Sequence, residues 1–183
     1  MPYLDTLSVR EARDLYYRDN DFGADGGDSL SWVKLKLGPI PLAIPNTDGR
    51  RRAVKYHDLH HLVTGYRTDW VGEFEISAWE IGSGCKREAF AWFINSQGMV
   101  GGLFLCPRRS LRAFVRGRST QNLYGLELEP LLEETVADLR RRMGTDASIP
   151  EASAAQLVGW LAWSHLWLTP LLMLAVGMVW FFC

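Results

Sequence analysis

The segment Arg50–Gly82, RRRAVKYHDLHHLVTGYRTDWVGEFEISAWEIG, carries most of the information about the fold. A helix is expected to begin after the turn Asn46–Gly49 and to end at Gly65, because glycine is the common residue just beyond a helix end. A second helix is expected to start at Trp70 and to run towards Gly82. The centre of the chain is therefore predicted to consist of two consecutive helices.

The flanking sequence is also mostly helical in pattern. Ser8 followed by Glu11 forms a capping box, which predicts a helix over Ser8–Asp19. Alternation and prolines in Leu30–Ile44 predict a short strand pair or an extended loop instead. Further helices are expected over Arg87–Asn95, Pro107–Arg116 and Pro130–Met143, with a break at Gly98–Gly102 and with Leu131, Leu132, Val136 and Leu139 facing inward. The predicted fold class is mainly α.

Composition excludes several classes of protein. The chain has 183 residues, which suits one folded domain, predicted over residues 1–150. It has 20 Lys and Arg against 21 Asp and Glu, and this balance argues against nucleic-acid binding. Three cysteines without CxxC spacing fit neither a disulfide framework nor a cysteine zinc site, so a reducing compartment is expected. No secretory signal peptide is predicted, since the N-terminal residues contain no apolar run.

The C-terminal segment Leu157–Cys183, LVGWLAWSHLWLTPLLMLAVGMVWFFC, contains no Lys, Arg, Asp or Glu. As one helix it would extend about 40 Å, which exceeds the hydrocarbon core of roughly 30 Å. It predicts a membrane-anchoring helix, with Arg140–Arg142 upstream placing the domain on the cytoplasmic side. The alternative is a last core helix of a lipid-binding bundle, kinked at Pro170. Four tryptophans near the two ends would favour the headgroup boundary: Trp160, Trp163, Trp167 and Trp180.

A candidate metal site lies in the two central helices. His57 and His61 are four residues apart, so both imidazoles point the same way on a helix and can reach one cation. Asp58 lies about 60° beyond His61 at 100° per residue and extends the arc. Glu73, in the next helix, is placed to supply a further carboxylate. Spacing alone does not exclude other ligands: Asp69, Glu75, Glu80 and His60.

Two further features bear on the chemistry. The run His57-Asp58-x-x-His61 differs from the metalloprotease motif H-E-x-x-H by one methylene, and aspartate is too short for the general-base role, so peptide hydrolysis is disfavoured. The segment Arg108–Arg118 holds five arginines and no acid. It is either a solvated face or a contact for anionic headgroups or an isoprenoid phosphate, with three candidate residues: Arg108, Arg112 and Arg116.

The pattern His-Asp-x-x-His, followed by eleven residues and Glu73, resembles the signature of the Coq4 family of ubiquinone-biosynthesis proteins. Thr64-Gly65-Tyr66 and Gly72-Glu73 are similar to that family's usual surroundings. The resemblance is specific over Pro45–Gly84 and diffuse over the rest of residues 1–125. It implies an all-helical domain and a divalent ion, usually described as zinc, held by four side chains: His57, Asp58, His61 and Glu73.

The resemblance also implies a function in coenzyme Q synthesis. The site would handle a polyprenylated aromatic ring, as a scaffold or as the agent of C1 oxidative decarboxylation, a lyase reaction, and usually within a multiprotein complex. Asp58 and Glu73 are the predicted catalytic carboxylates. Eukaryotic members carry a mitochondrial targeting segment that is not expected here, so the protein is predicted to be a bacterial membrane protein.

The chemistry leaves the metal and the activity open. A cation held by two histidines and one or two carboxylates can act as a Lewis acid on a phenol or carboxylate oxygen. Replacing a carboxyl by a hydroxyl group needs an oxidant, and zinc has no redox chemistry, so iron is an alternative to zinc, and magnesium is also possible. Two other functions remain: a non-catalytic isoprenoid-binding scaffold with a structural metal, and a metal-dependent enzyme on isoprenoid phosphates that uses the arginine helix.

Overall fold

The computed structural model describes residues 5–37, 40–166 and 168 and is mainly helical, as predicted. A hairpin of β1 (Trp32–Leu37) and β2 (Ile40–Pro45) interrupts the helices. The helices in chain order are α1 (Val9–Asp19), α2 (Asp48–Thr64), α3 (Trp70–Ser83), α4 (Ala89–Leu105), α5 (Pro107–Arg118), α6 (Leu128–Glu133), α7 (Val136–Met143) and α8, described over residues 154–166.

The predicted start of α1 and the predicted strand pair are both confirmed. Ser8 Oγ accepts a hydrogen bond from the Glu11 backbone N–H, and the Glu11 carboxylate accepts one from the Ser8 N–H, which completes the capping box. The strands are antiparallel, and their register pairs Val33 with Ile44. The hairpin departs from the all-helical domain that the Coq4 resemblance implies.

Helix α3 forms the centre of the molecule. It packs against α4 on one side and α5 on the other, with α2 also in contact with α4. Trp79, near the middle of α3, is fully buried, and its indole N–H donates a hydrogen bond to Thr120 Oγ1 at 2.9 Å. Because α3 is surrounded in this way, the side chains of its first turns are held in fixed positions next to α2.

The predicted break at Gly98–Gly102 is wrong, because α4 runs through it as one helix. The glycines allow close approach to neighbouring helices. A Cβ atom at Gly98 would lie 2.2 Å from Ser77 Oγ on α3, and one at Gly102 would lie 2.8 Å from Ser110 Oγ on α5. Packing contacts therefore outweigh the low helix propensity of glycine, which costs about 1 kcal/mol per residue.

The single helix predicted over Pro130–Met143 is also wrong, since it is divided into α6 and α7 at Glu134 and Thr135. The N-terminal segment pairs with the chain at this point: the Val9 N–H donates to the Glu134 carbonyl at 2.8 Å, and the Val136 N–H donates to the Leu7 carbonyl at 2.9 Å. The four residues expected to face inward are buried, as predicted: Leu131, Leu132, Val136 and Leu139.

Helix α8 packs on the domain instead of extending away from it. Trp160 is buried, and its indole N–H donates to Ser110 Oγ at 3.1 Å, so the expectation of Trp160 at a headgroup boundary is wrong. Trp163 stacks on Trp92 with ring centroids 5.1 Å apart. Among the described helices, none is both long and apolar enough to cross a membrane. Most of the predicted anchor, Trp167 and residues 169–183, lies outside the described residues.

Candidate metal centre

The connection between α2 and α3 brings the predicted ligands together. Gly65 ends α2 in the left-handed conformation with φ at 75°, and its N–H donates to the His61 carbonyl. Asp69 then caps α3 by accepting a hydrogen bond from the Gly72 N–H at 2.9 Å. The chain reverses within a few residues, and Glu73 in the first turn of α3 faces His57 and His61 in the last turns of α2.

Three ligand atoms converge at this point. The Nε2 atoms of His57 and His61 are 3.2 Å apart. Glu73 Oε2 lies 3.4 Å from His57 Nε2, and Glu73 Oε1 lies 3.4 Å from His61 Nε2. Zinc bonds of about 2.0–2.2 Å in a tetrahedral arrangement separate neighbouring ligand atoms by about 3.3 Å. The spacing of the three side chains therefore suits a divalent cation.

The outer nitrogen of each histidine is held by a hydrogen bond. His61 Nδ1 lies 3.0 Å from the Tyr66 carbonyl oxygen, which can only accept, so Nδ1 carries a proton and Nε2 is the nitrogen that could bind a cation. His57 Nδ1 lies 2.9 Å from Glu80 Oε1 and is held in the same way. Metal-binding histidines are normally oriented by such an outer carboxylate or carbonyl, and this arrangement supports the metal assignment.

The electrostatics of the group are those of closely coupled ionisable residues. Burial alone would lower the pKa of His57, but the carboxylates of Glu80 and Glu73 outweigh burial and hold that pKa well above its ordinary value. Burial alone would raise the pKa of Glu73, but hydrogen bonds from His57 and His61 hold it well below the usual range. The positive charge on His57 thus faces the Glu73 carboxylate. A divalent cation could take the place of the Nε2 proton, and two imidazole nitrogens with one carboxylate are a donor set suited to zinc or iron.

The four-ligand set expected from the sequence is reduced to three, because Asp58 is not part of the converging group. Asp58 is buried and interacts with the Tyr17 hydroxyl. Burial raises the pKa of Asp58 to about 6, against the opposing effect of the positive charge on His57 and His61. Its carboxyl group lies in the wall of a cavity, beside His57, His61 and Glu73, the three residues that we name the metal group. The catalytic role predicted for Asp58 stays a prediction.

The alternative ligands left open by spacing are used elsewhere. Glu80 is fully buried; it accepts hydrogen bonds from His60 Nδ1 at 2.7 Å and from the Tyr124 hydroxyl at 2.6 Å, and it also bonds Asn95. His60 Nε2 accepts from the Leu123 N–H at 3.0 Å. We name this set of residues the Glu80 network: Glu80, His57, His60, Asn95 and Tyr124. Of the other two alternatives, Asp69 caps α3 and Glu75 forms an ion pair with Arg109.

A cavity of about 650 Å³ lies against the metal group. Its wall includes His57, Asp58 and Glu73, and most of the remaining wall is apolar or aromatic. This volume is in the usual range for a small-molecule site, about 300–1,000 Å³. Apolar wall residues come from five parts of the fold, namely α1, the loop after it, β1, α2 and α4: Tyr16, Phe22, Trp32, Val54, Phe90 and Ile94.

Arg50 is a wall residue that the sequence analysis missed. It is half-buried, and its guanidinium donates a hydrogen bond to Asn46 Oδ1 at 2.8 Å. Burial lowers the pKa of Arg50, against the opposing effect of the Asp58 carboxylate. Arg50 and His57 are seven residues apart, a spacing that places both on one face of a helix, and this signal could have identified it. The cavity thus has a cation of its own.

The arginines of α5 are separate from this cavity, because none of them is among the residues in its wall. Arg108 and Arg112 are exposed. Arg116 donates to the Thr64 carbonyl at 2.9 Å and to the Thr145 carbonyl at 2.8 Å, and its guanidinium lies over the Tyr66 ring. It connects the end of α2 to the loop after α7. The anion contact predicted for these arginines stays a prediction.

No protein-family model, curated protein or solved structure matches this chain. The resemblance to the Coq4 family rests on the motif residues and stays a prediction. What the geometry provides independently is a group of two histidines and one glutamate that could hold a metal ion, placed against a large apolar cavity.

Proposed function

We propose that this protein binds a divalent cation at His57, His61 and Glu73 and acts on a polyprenylated hydroxybenzoate-type acid in ubiquinone biosynthesis. Zinc is the favoured ion, with iron as the alternative for redox chemistry and magnesium less suited to two histidines. The observation that carries the proposal is the position of His57 and Glu73 in the wall of a 650 Å³ apolar cavity. Attachment to a membrane and a place in a biosynthetic complex belong to the same proposal.

Different residues in the cavity wall bind different parts of the proposed substrate. The aromatic and aliphatic side chains bind the prenyl chain, because burial of apolar surface is favourable by about 25 cal/mol per Å². Arg50 offers a permanent positive charge for the phenolate oxygen of the ring, and the buried Asp58 carboxyl group is placed to hold or release a proton beside it. A bound cation would supply a Lewis acid for an oxygen of the substrate.

The proposed net reaction is balanced with dioxygen as the two-electron acceptor. The bond from ring C1 to the carboxyl carbon breaks and carbon dioxide leaves. A hydroxyl group derived from water takes its place on C1. The aromatic acid, one water and one dioxygen give the hydroquinone, one carbon dioxide and one hydrogen peroxide. The aromatic substrate is oxidised by two electrons, and dioxygen is reduced by two.

A second candidate function is a prenyl-lipid-binding scaffold in which the cation is structural. The observation that favours it is the Glu80 network, in which a fully buried carboxylate, itself bonded to His60 and Tyr124, holds the outer nitrogen of His57. A structural ion contributes directly to folding stability. A catalytic ion can be lost with the fold largely intact.

The experiment compares Glu73→Ala with Glu75→Ala, the same substitution two residues further along α3 and outside the metal group. Detergent-extracted protein is analysed for bound metal, for unfolding temperature and for release of labelled carbon dioxide from a prenylated 4-hydroxybenzoate labelled at its carboxyl carbon. The proposal expects Glu73→Ala to lose metal and carbon dioxide release while unfolding close to wild type, and Glu75→Ala to keep both.

Two results would count against the proposal. A large fall in unfolding temperature with loss of metal in Glu73→Ala, and no carbon dioxide release by the wild type, would favour the scaffold. Wild-type protein that binds neither metal nor the prenylated acid would refute both candidates.

A further inference from the structure

The segment between α1 and β1 forms an outer wall of the cavity. Residues 21–31, which we name the strap, contain neither a helix nor a strand. Phe22 and Leu30 of the strap line the cavity, and they are also 39% and 52% exposed. The strap therefore has the cavity on one side and solvent on the other.

The strap is folded as a turn of its own and adds little to the core. Asp25 accepts hydrogen bonds from the Gly27 N–H and the Ser29 N–H, both at 2.9 Å. Gly26 and Gly27 adopt the left-handed backbone conformation, with φ at 66° and 78°. Among the described residues, none of the buried apolar side chains of the core comes from the strap. A segment with so few buried apolar contacts is kept in place by its hydrogen bonds to other elements.

Asn46, which directly follows β2, attaches the strap to the rest of the fold and is buried. Its Nδ2 donates hydrogen bonds to the Leu30 carbonyl at 2.8 Å and to the Gly27 carbonyl at 3.0 Å, and it lies 3.4 Å from the Asp28 carbonyl. The Asn46 backbone N–H donates to the Ser31 carbonyl at 2.9 Å. Because carbonyl oxygens can only accept, these contacts place the amide nitrogen towards the strap and the amide oxygen away from it.

The amide oxygen of Asn46 holds Arg50, the cation in the cavity wall. Arg50 Nη1 donates to Asn46 Oδ1 at 2.8 Å. In residues 5–37, 40–166 and 168, Arg50 has no ion-pair partner, and its bond to Asn46 uses one N–H of a group that has several. A carboxylate or phenolate in the cavity can accept the others, since guanidinium groups bind such anions with two parallel hydrogen bonds. One buried amide therefore lies between the strap and the cation that faces the cavity.

We propose that Asn46 is a positioning residue that couples the binding of an apolar anion at Arg50 to closure of the strap. An anion that immobilises the guanidinium also fixes the donor to Asn46 Oδ1, and hydrogen bonds that share one polar group strengthen one another. The amide then holds the Gly27 and Leu30 carbonyls more firmly, and the strap opens less often. The coupling rests on the proposed function in one respect, namely that the cavity binds an acidic ligand with an apolar chain.

The test measures amide hydrogen exchange of the strap in the full chain at neutral pH, with decanoate as the probe and decanol as its neutral counterpart. The two probes have chains of the same length, but only decanoate carries a charge for Arg50. Exchange over residues 22–31 of the wild type should be slower with decanoate than with decanol by at least about fivefold, the lower end of ordinary coupling between two sites. Equal slowing by both probes would show a response to filling of the cavity alone and would overturn the coupling, as would no slowing by either.

Arg50→Gln and Asn46→Ala test the two parts of the connection. Arg50→Gln should bind decanoate at least about tenfold more weakly, as expected when a charge-assisted hydrogen bond is lost, and its strap should respond equally to the two probes. If the decanoate effect persists in Arg50→Gln, the charge is bound elsewhere and the coupling is refuted. Asn46→Ala should exchange faster over the strap, and decanoate should no longer slow it. Exchange of the core helix α3 shows whether Asn46→Ala is folded, and Arg50→Gln decides the question alone if it is not.

Arg51→Gln is the matched control. Arg51 Nη2 also contacts the strap, donating to the Leu30 carbonyl at 3.3 Å, but Arg51 is not among the residues in the wall of the large cavity. Its loss should loosen the strap and preserve the difference between decanoate and decanol. A purely structural role of Asn46 predicts the same pattern for Asn46→Ala, and that result would overturn the proposal.

Metal content and carbon dioxide release separate the coupling from the proposed function. A wild type that responds to decanoate but binds no metal and releases no carbon dioxide would leave the coupling standing and remove the proposed function. A wild type that binds metal and releases carbon dioxide, but whose strap does not respond to decanoate, would keep the proposed function and remove the coupling.

Discussion

Helix α2 carries two histidine–carboxylate clusters that differ in whether the ring nitrogens of their histidines converge on one point. In the first, His57 and His61 face Glu73, and their Nε2 atoms meet at 3.2 Å. In the second, His60 faces Glu80, and both of its ring nitrogens have partners inside the protein. The first cluster borders the cavity, whereas His60 and Glu80 are fully buried.

The comparison shows that residue type alone does not distinguish side chains that could bind a metal from side chains that only form buried hydrogen bonds. Both clusters combine histidine from α2 with glutamate from α3, and the two glutamates are seven residues apart. What differs is where the ring nitrogens lie. The Nε2 atoms of His57 and His61 converge on Glu73 beside the cavity, where one cation could bind all three side chains, whereas the two nitrogens of His60 contact separate partners, Glu80 and the Leu123 N–H.

The largest effect on metal binding is expected from His61→Asn. Asparagine keeps a donor near the Tyr66 carbonyl but removes the Nε2 ligand. Loss of a direct ligand should lower metal affinity by more than the roughly 100-fold upper range for outer-shell changes. Elemental analysis and competition with a chelator measure it. His165→Asn, on α8 and outside the group, is the control and should keep its metal; equal loss in both variants would contradict the assignment.

A smaller effect on metal binding, with a large effect on stability, is expected from Glu80→Gln. The change removes the acceptor charge of the Glu80 network and should reduce metal affinity by about 10–100-fold. Breaking a buried charged pair should cost about 3–5 kcal/mol of unfolding free energy. Burial alone would raise the pKa of Glu80, but the positive charge on His57 and the hydrogen bonds from His57 and His60 hold it well below the ordinary value of 4.5.

The sign of the pH dependence follows from that pKa. A carboxyl group with a lowered pKa in the folded state stabilises the protein above the pKa of the unfolded chain, and the contribution is lost as the pH falls. The stability difference between the wild type and Glu80→Gln should therefore be greatest near neutral pH and should shrink below about pH 4.5. Urea unfolding of metal-free protein at several pH values measures it. A difference that does not change with pH would show that Glu80 is not ionised in the fold.

His60→Asn should affect stability and leave metal binding nearly unchanged. Asparagine can still donate to Glu80, but the Leu123 N–H loses its acceptor in the protein interior. An unsatisfied buried donor costs about 1–3 kcal/mol. Urea unfolding tests this, and chelator competition tests the metal. The same substitution at the neighbouring His61 is the matched comparison: it should lose the metal, whereas His60→Asn should keep it. Metal loss in His60→Asn would contradict the assignment of His60 as a residue that only supports the fold.

The smallest effect on metal binding is expected from Asp58→Asn, since Asp58 is outside the converging group. Its carboxyl pKa of about 6, raised mainly by burial, means that the ionised form is disfavoured in the fold. In metal-free protein the variant should therefore be more stable than the wild type above pH 6, by about 2–3 kcal/mol, and the gain should disappear below about pH 4. Metal loss equal to that of His61→Asn would restore Asp58 as a ligand.

The sequence was sufficient for the elements and residues that depend on local spacing. The end of α2 at Gly65 and the start of α3 at Trp70 were predicted, whereas α2 begins at Asp48, inside the turn that was expected to precede it. Spacing placed His57 and His61 on one face with Glu73 in reach, but it left four other ligands open: Asp69, Glu75, Glu80 and His60. Asp58 does not converge with the other three side chains, because adjacent residues on a helix diverge by about 100° and the position of α3 could not be read from the spacing within α2.

The features that could not be predicted from the sequence depend on contacts between residues that are far apart in the chain. Glu80 was recognised as a competitor, but its role as a support depends on Asn95 and Tyr124, which are brought to it by other parts of the chain. The continuity of α4 through its glycines depends on Ser77 and Ser110 in neighbouring helices, and the division between α6 and α7 depends on pairing with the N-terminal segment.

The contact of Arg116 with Tyr66 links two surfaces of the molecule. The Tyr66 carbonyl fixes His61, the Tyr66 ring lies under Arg116, and Arg116 belongs to the same helix as Arg108 and Arg112. A displacement of α5 can therefore reach His61 through two contacts, from Arg116 to the Tyr66 ring and from the Tyr66 carbonyl to His61 Nδ1. The candidate site is thus connected to the exposed end of α5 by side-chain contacts within the protein.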